Sequence, residues 1–155
     1  MLKVVPPKIT RRLPVYVEKS GMENLLDREN FEEGFEGQRN RLIFQIFYAT
    51  GMRLSELINI KDSDINYSRR EIKVTGKGNK QRIIPVGDDL LKEAQDYMDE
   101  KNRLHSSEYL LVTNAGKKLY PNFVYRLVNS FLQQVTTVDK KSPHTLRHTF
   151  ATHLV

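Results

Sequence analysis

The sequence has 155 residues and 39% hydrophobic content, enough for one domain with a buried core. It has no cysteine, which excludes disulfides and thiolate metal sites, and no apolar run long enough to span a bilayer; Met1–Pro7 lacks the apolar core of a signal peptide, so a soluble, cytoplasmic protein with no membrane contact is expected. The formal net charge is +6, and its distribution points to a polyanionic partner: Ser68–Arg82 holds Arg69, Arg70, Lys73, Lys77, Lys80 and Arg82 against Glu71, whereas Glu23–Glu36 is mostly acidic.

Met1–Lys19 contains Pro6, Pro7 and Pro14 with several basic residues and reads as an extended arm or linker. The domain proper is expected over 20–155. Ser20–Asp27 suits a short helix. Phe31–Ala49 follows as a long one, whose second half, Leu42–Ala49, is apolar almost all round and marks the central core helix. Gly51 ends it, and Arg53–Ile60 starts another short helix. Glu71–Thr75 and Gln81–Val86 are β-rich runs flanking Gly76-Lys-Gly-Asn-Lys80, a predicted β-hairpin with a basic tip. Asp88 is placed as the cap of a helix running to about Leu104, with Leu90, Leu91, Ala94, Tyr97 and Met98 on its core face. Tyr109–Val112 is expected as a third strand. A helix from Asn122 to about Val135 turns Val124, Leu127, Val128 and Phe131 inward. Ser142 caps a final helix with Pro143 at its first position; Leu146, Phe150 and Leu154 share a buried face, while His144 and Arg147 point together from a neighbouring arc. The sum is an α+β domain, mainly helical, with a small sheet.

Arginine matches phosphate through a planar, permanently charged fork. Arg53 stands at the mouth of a helix, and Glu56, three residues on, can hold its guanidinium. Lys77 lies between two glycines, where it can reach into a groove and neutralise a phosphate or donate a proton; Lys80 and Arg82, with Arg69 and Arg70, would follow a nucleic-acid backbone. His144 and Arg147 at a helix N-terminus make an anion site. Taken singly, each feature also fits a solvated ion pair or a basic tip kept for solubility. His144 and His148 have metal-ligand spacing, but Thr145 stands where the zinc-protease pattern needs Glu, so no metal is expected; His105 and His153 read as incidental, and the tip lacks the pattern of a nucleotide-binding loop. Together, the arginines, the hairpin lysine and the histidine are the set that phosphodiester transfer without a metal requires: fixed cations for the non-bridging oxygens and a general acid for the leaving sugar oxygen. A nucleophile is missing.

Ala49-Thr-Gly-Met-Arg-Leu-Ser-Glu-Leu57, Thr75-Gly-Lys-Gly-Asn-Lys-Gln-Arg82 and Ser142-Pro-His-Thr-Leu-Arg-His-Thr-Phe-Ala-Thr-His-Leu154 resemble, in this order, the catalytic domain of the tyrosine recombinases, the phage-integrase and Xer-type family. The resemblance implies a DNA breaking-rejoining fold with a small three-stranded antiparallel sheet. It implies site-specific recombination of double-stranded DNA through a 3′-phosphotyrosyl intermediate, with no cofactor, metal or external energy source. By it, Arg53 and Arg147 clamp the scissile phosphate, Lys77 protonates the departing 5′ oxygen, His144 assists proton transfer and Glu56 supports Arg53. The family's nucleophilic tyrosine follows the His-x-x-Arg helix, preceded by a further His or Trp; here all seven tyrosines precede His144. The expectation is therefore a catalytic domain incomplete at its C-terminus, unable to cleave by itself and monomeric, with 1–19 the linker from an N-terminal core-binding domain, and with a parent that assembles as a homotetramer on DNA. The alternative is a non-enzymatic DNA-binding or decoy module using the same basic face.

Overall fold

Helix α1 (Phe35–Thr50) runs through the core of the computed structural model, which describes residues 26–133 with the exception of the Leu132 side chain. The 1–19 linker, most of the Ser20–Asp27 helix and the helix opened by Ser142 lie outside the described residues. Leu42, Ile43, Phe44, Ile46 and Phe47 of α1 are all buried, which is why this stretch is apolar on nearly every side. Each such side chain contributes roughly 1.5–3 kcal/mol by leaving water.

The helix begins at Phe35 rather than at Phe31. Gly34 has φ 96°, and the chain before it folds back so that the Glu32 carbonyl packs on Gly37, where any Cβ would lie 1.6 Å from that oxygen. Phe31 is thereby freed from the helix and stacks on Phe131, at 4.8 Å between ring centroids, with Phe44 beside both. At the other end Gly51 adopts φ 64° and its N–H donates to the Phe47 carbonyl, a left-handed cap that few other residues tolerate.

Helix α2 (Leu54–Ile58) follows, then strand β1 (Ile65–Asn66), β2 (Glu71–Thr75) and β3 (Gln81–Pro85), which form an antiparallel sheet in the order β1-β2-β3. Ile72 and Val74 of β2 face the core, and register pairs them with Ile84 and Arg82 of β3. The third strand is thus Ile65–Asn66, not Tyr109–Val112. Leu110, Leu111 and Val112 are buried in succession, so the segment passes through the core without the alternation of a half-exposed strand; it makes only isolated bridges, Lys61 with Tyr109 and Val112 with Lys118.

Helix α3 (Asp88–Leu104) packs on α1 through Leu90, Leu91, Ala94 and Tyr97. Its cap is Gly87; Asp88 and Asp89 occupy the first turn, where their charge suits the helix dipole. Helix α4 (Pro121–Leu132) starts one residue early, because Pro121 is well suited to the first helical position, and it buries Val124 and Val128. Among the described residues no helix is long and apolar enough to cross a membrane.

Two buried charges were not foreseen. Lys101 continues the Leu90–Ala94–Tyr97 stripe and is fully buried; its ammonium donates to both Asp62 carboxylate oxygens at 2.7 Å and to the Tyr109 carbonyl at 2.7 Å. Arg39 lies on the stripe of Leu42 and Ile43. It donates to Asn114 Oδ1 at 2.7 Å and to Asn40 Oδ1, and its guanidinium sits 4.8 Å from the centroid of the Phe123 ring. Both clamp the Tyr109–Asn114 segment to the helices.

Candidate functional site

The turn after α1 aims Arg53. Thr50 Oγ1 donates to the Ile46 carbonyl at 2.6 Å and accepts the Met52 N–H, and the Met52 side chain is wholly buried, so the chain leaves the core on a fixed course. Arg53 then caps α2 with extended backbone and an exposed side chain. Glu56 turns back and accepts the Arg53 backbone N–H on Oε1 at 2.8 Å. This corrects the expected guanidinium pair in one respect: Glu56 supports Arg53 through its main chain.

The guanidinium that Glu56 does hold belongs to Arg82, whose Nη2 donates to the same Oε1 at 2.8 Å. Strand register explains it. Arg82 lies opposite Val74 on the inner face of the hairpin, whereas Ile83, opposite Lys73, faces outward and is 51% exposed. The Glu56 side chain itself is only 6% exposed. Burial alone would raise its carboxyl, but the Arg82 hydrogen bond, the Arg53 N–H and the two positive charges outweigh burial and hold it below the ordinary carboxylate range.

The hairpin tip closes over the same carboxylate. A Cβ on Gly76 would lie 3.2 Å from Glu56 Oε2, so the bare backbone permits the approach. Gly76 does not need left-handed freedom (φ −104°); that is used at Gly78 (φ 71°) and Asn79 (φ 60°), in the tight turn Lys77–Asn79. The Gly76 N–H donates to the Lys80 carbonyl at 2.7 Å. Lys77 and Lys80 are exposed, and among the described residues neither has an ion-pair partner.

The structure therefore brings together the Arg53 main chain, Glu56, Arg82 and Gly76, the residue before Lys77. Arg69 and Arg70 sit at the opposite end of β2, roughly 17 Å away for a five-residue strand. Arg70 takes φ 54° in the turn and pairs with Asp88 at 2.8 Å, both side chains well exposed. His144 and Arg147 lie outside the described residues. What sequence reasoning missed was the inward aim of Arg82 and the reason for Gly76; counting alternation from Val74 across the hairpin would have found the first.

Residues 16–155 match the phage integrase family. The chain belongs to that family. Among curated relatives, tyrosine recombinase XerC of Chlorobaculum parvum is 33% identical over 175 residues, with 98% of this chain and 52% of the relative covered. XerC of Staphylococcus epidermidis is 36% identical over 156 residues, covering 99% and 52%. Among solved structures, the XerH site-specific recombinase bound to its difH substrate in a pre-cleavage complex matches with a TM-score of 0.80 and 26% identity, covering 92% of this chain and 43% of that one. The XerA recombinase matches at 0.79 and 28%, covering 92% and 51%. This phage-integrase chain thus has the tyrosine-recombinase fold and spans about half the length of the curated relatives it matches.

Proposed function

We propose that the chain serves site-specific DNA recombination, as a catalytic domain that binds double-stranded DNA and organises phosphodiester transfer at one strand. The observation that carries this reading is the Glu56 carboxylate, which joins the Arg53 turn to the lysine hairpin: the Arg53 main chain and the Arg82 guanidinium, distant in sequence, are held by one buried anchor. A buried carboxylate shared in this way has little use in a surface kept basic only for solubility.

In the proposed step a tyrosine oxygen attacks the phosphorus, the bond to the 5′ oxygen breaks, and a 3′-phosphotyrosyl link forms. Arg53 and Arg147 hold the non-bridging oxygens, Lys77 gives its proton to the departing 5′ oxygen, and His144 assists proton transfer. Lys80, Arg69 and Arg70 contact flanking phosphates, Arg70 after exchange from Asp88. Two of the described tyrosines are unsuited to attack. The Tyr97 phenol is wholly buried and accepts the Val112 N–H, and the Tyr67 phenol donates to Met98 Sδ; burial pushes Tyr97 well up and Tyr67 to about 12. All seven tyrosines precede His144. The alternative reading of the same basic face is a non-enzymatic DNA-binding or decoy module.

Covalent trapping on a nicked duplex separates the two. It is run on this chain and on a version extended through whatever reading frame follows codon 155. Adduct from the longer version only, lost on Arg53→Ala or Arg147→Ala, supports the recombinase. Tight binding without adduct from either supports the binding module. Adduct from the 155-residue chain itself refutes the placement of the nucleophile beyond the described phenols. The cytoplasm and a homotetramer on DNA belong to the same proposal; sedimentation of the extended protein with and without a duplex tests the assembly.

A further inference from the structure

We propose that Arg82 is a positioning residue: with Glu56 and the bare Cα of Gly76, it latches the base of the lysine hairpin to the arginine turn. Its meaning for Lys77 rests on the function proposed above; the latch itself does not.

The two oxygens of Glu56 divide the work. Oε1 takes the Arg53 N–H and Arg82 Nη2, each at 2.8 Å, and Oε2 faces Gly76. Gly76 leaves β2 and Arg82 stands in β3, so the carboxylate touches both legs of the hairpin. Between those legs the turn is closed on itself by the Gly76 N–H to Lys80 carbonyl bond and by the Thr75–Gln81 pair. Fixing the two legs fixes the base from which Lys77, one residue beyond Gly76, projects. Outside its ladder with β2, β3 has little side-chain anchorage to the core, since Gln81, Ile83 and Pro85 are exposed and only Ile84 is half-buried.

This assignment separates Arg82 from the cations beside it. Lys77 and Lys80 project without a carboxylate partner among the described residues, whereas the Arg82 side chain, 48% exposed, is paired through Nη2 with a carboxylate that is itself 6% exposed. An arginine whose charge is spent on that carboxylate neutralises no phosphate, so it displaces no counterion from the DNA and adds nothing to the salt dependence of affinity. Its contribution goes instead into the order of the hairpin.

The test uses the 155-residue chain, a labelled duplex over a salt series, and amide exchange by NMR on the free protein. Lys80→Gln is expected to lower the salt slope by about one. Arg82→Gln is expected to leave the slope unchanged while exchange at the Arg53 and Gly76 amides speeds about tenfold, as one charge-assisted contact is lost. Gly76→Ala, which pushes on Oε2, should show the same loosening. Arg82→Lys should restore protection, because the contact is a single Nη2–Oε1 bond that a point charge can replace. In the unaltered chain, acidification that protonates Glu56 should reproduce the loosening of Arg82→Gln. A slope reduced by about one in Arg82→Gln, or unchanged exchange in both Arg82→Gln and Gly76→Ala, overturns the proposal. If the unaltered chain shows no salt-dependent DNA binding, the proposed function fails, and the exchange data alone still decide the latch.

Discussion

Replacing Lys101 with methionine keeps the length and bulk of a fully buried side chain and removes only its charge. The ammonium has three hydrogens, and the structure gives it three short acceptors: both oxygens of Asp62 and the Tyr109 carbonyl, each at 2.7 Å, with the Ser107 carbonyl farther off at 3.4 Å. Without it the Tyr109 carbonyl loses its donor, at about 1–3 kcal/mol for an unsatisfied buried acceptor. Asp62 loses its counter-charge. Breaking a buried pair by removing one partner costs about 3–5 kcal/mol, but Asp62 is 23% exposed and can recover some hydration, which places Lys101→Met near the lower end, about 3 kcal/mol. Adding Asp62→Leu should restore part of the loss, since the stranded charge goes too, while the Tyr109 carbonyl stays without its donor. Urea unfolding followed by far-UV circular dichroism measures both, the chain having no tryptophan. A single-variant cost below about 1 kcal/mol, or a double variant no more stable than the single, would refute the reasoning.

Gly37→Ala places a Cβ 1.6 Å from the Glu32 carbonyl, so the fold-back that frees Phe31 must open; a loss of at least about 3 kcal/mol, with weakened Phe31–Phe131 contact, should appear in a thermal melt. Glu56 has a folded-state carboxyl below its unfolded value, so its contribution is fully present above the ordinary carboxylate range and lost as pH falls through the depressed value; Glu56→Gln should flatten the acid limb of stability between the ordinary carboxylate range and the depressed value below it. Tyr97→Phe leaves the buried Val112 N–H without its acceptor and should cost about 1–3 kcal/mol in the same urea assay. In a spectrophotometric alkaline titration, Tyr67 should ionise near 12 and Tyr97, pushed up further by burial, after it.

Much of this architecture was legible because its signals were local. Leu42–Ala49 could only be a buried helix, Gly51 could only end it, and the Gly76–Lys80 tip between two β-rich runs could hardly be other than a hairpin. The misplaced strand shows the limit: Tyr109–Val112 and a true strand are alike in composition, and only the succession of three buried side chains, a tertiary fact, tells them apart. The start of α1 was hidden for a similar reason, because the contact that excludes Phe31 from the helix is made by a backbone carbonyl, which leaves no trace in side-chain pattern. Lys101 and Arg39 carried a readable signal. Each stands on the core stripe of its helix, and a charge at such a position either signals a partner brought from elsewhere in the chain or contradicts the helix.

The candidate site divides along the same line. Arg53, Glu56 and Lys77 were identifiable as residue types, yet their connection was not, because it passes through groups that a sequence pattern cannot rank: a main-chain N–H, a missing Cβ and a strand register. Glu56 was assigned to Arg53 on spacing, and spacing alone would have paired two side chains three apart on a helix. The structure spends the hydrogen bonds of that carboxylate on the Arg53 main chain and on Arg82, which leaves the Arg53 guanidinium exposed and without a hydrogen bond to Glu56, though its charge helps to hold that carboxyl down. That outcome is the more useful one for a phosphate clamp. A guanidinium already neutralised by its own helix would have to exchange partners before it could hold a phosphate, whereas a main-chain tether fixes where the side chain starts and leaves its charge for the ligand.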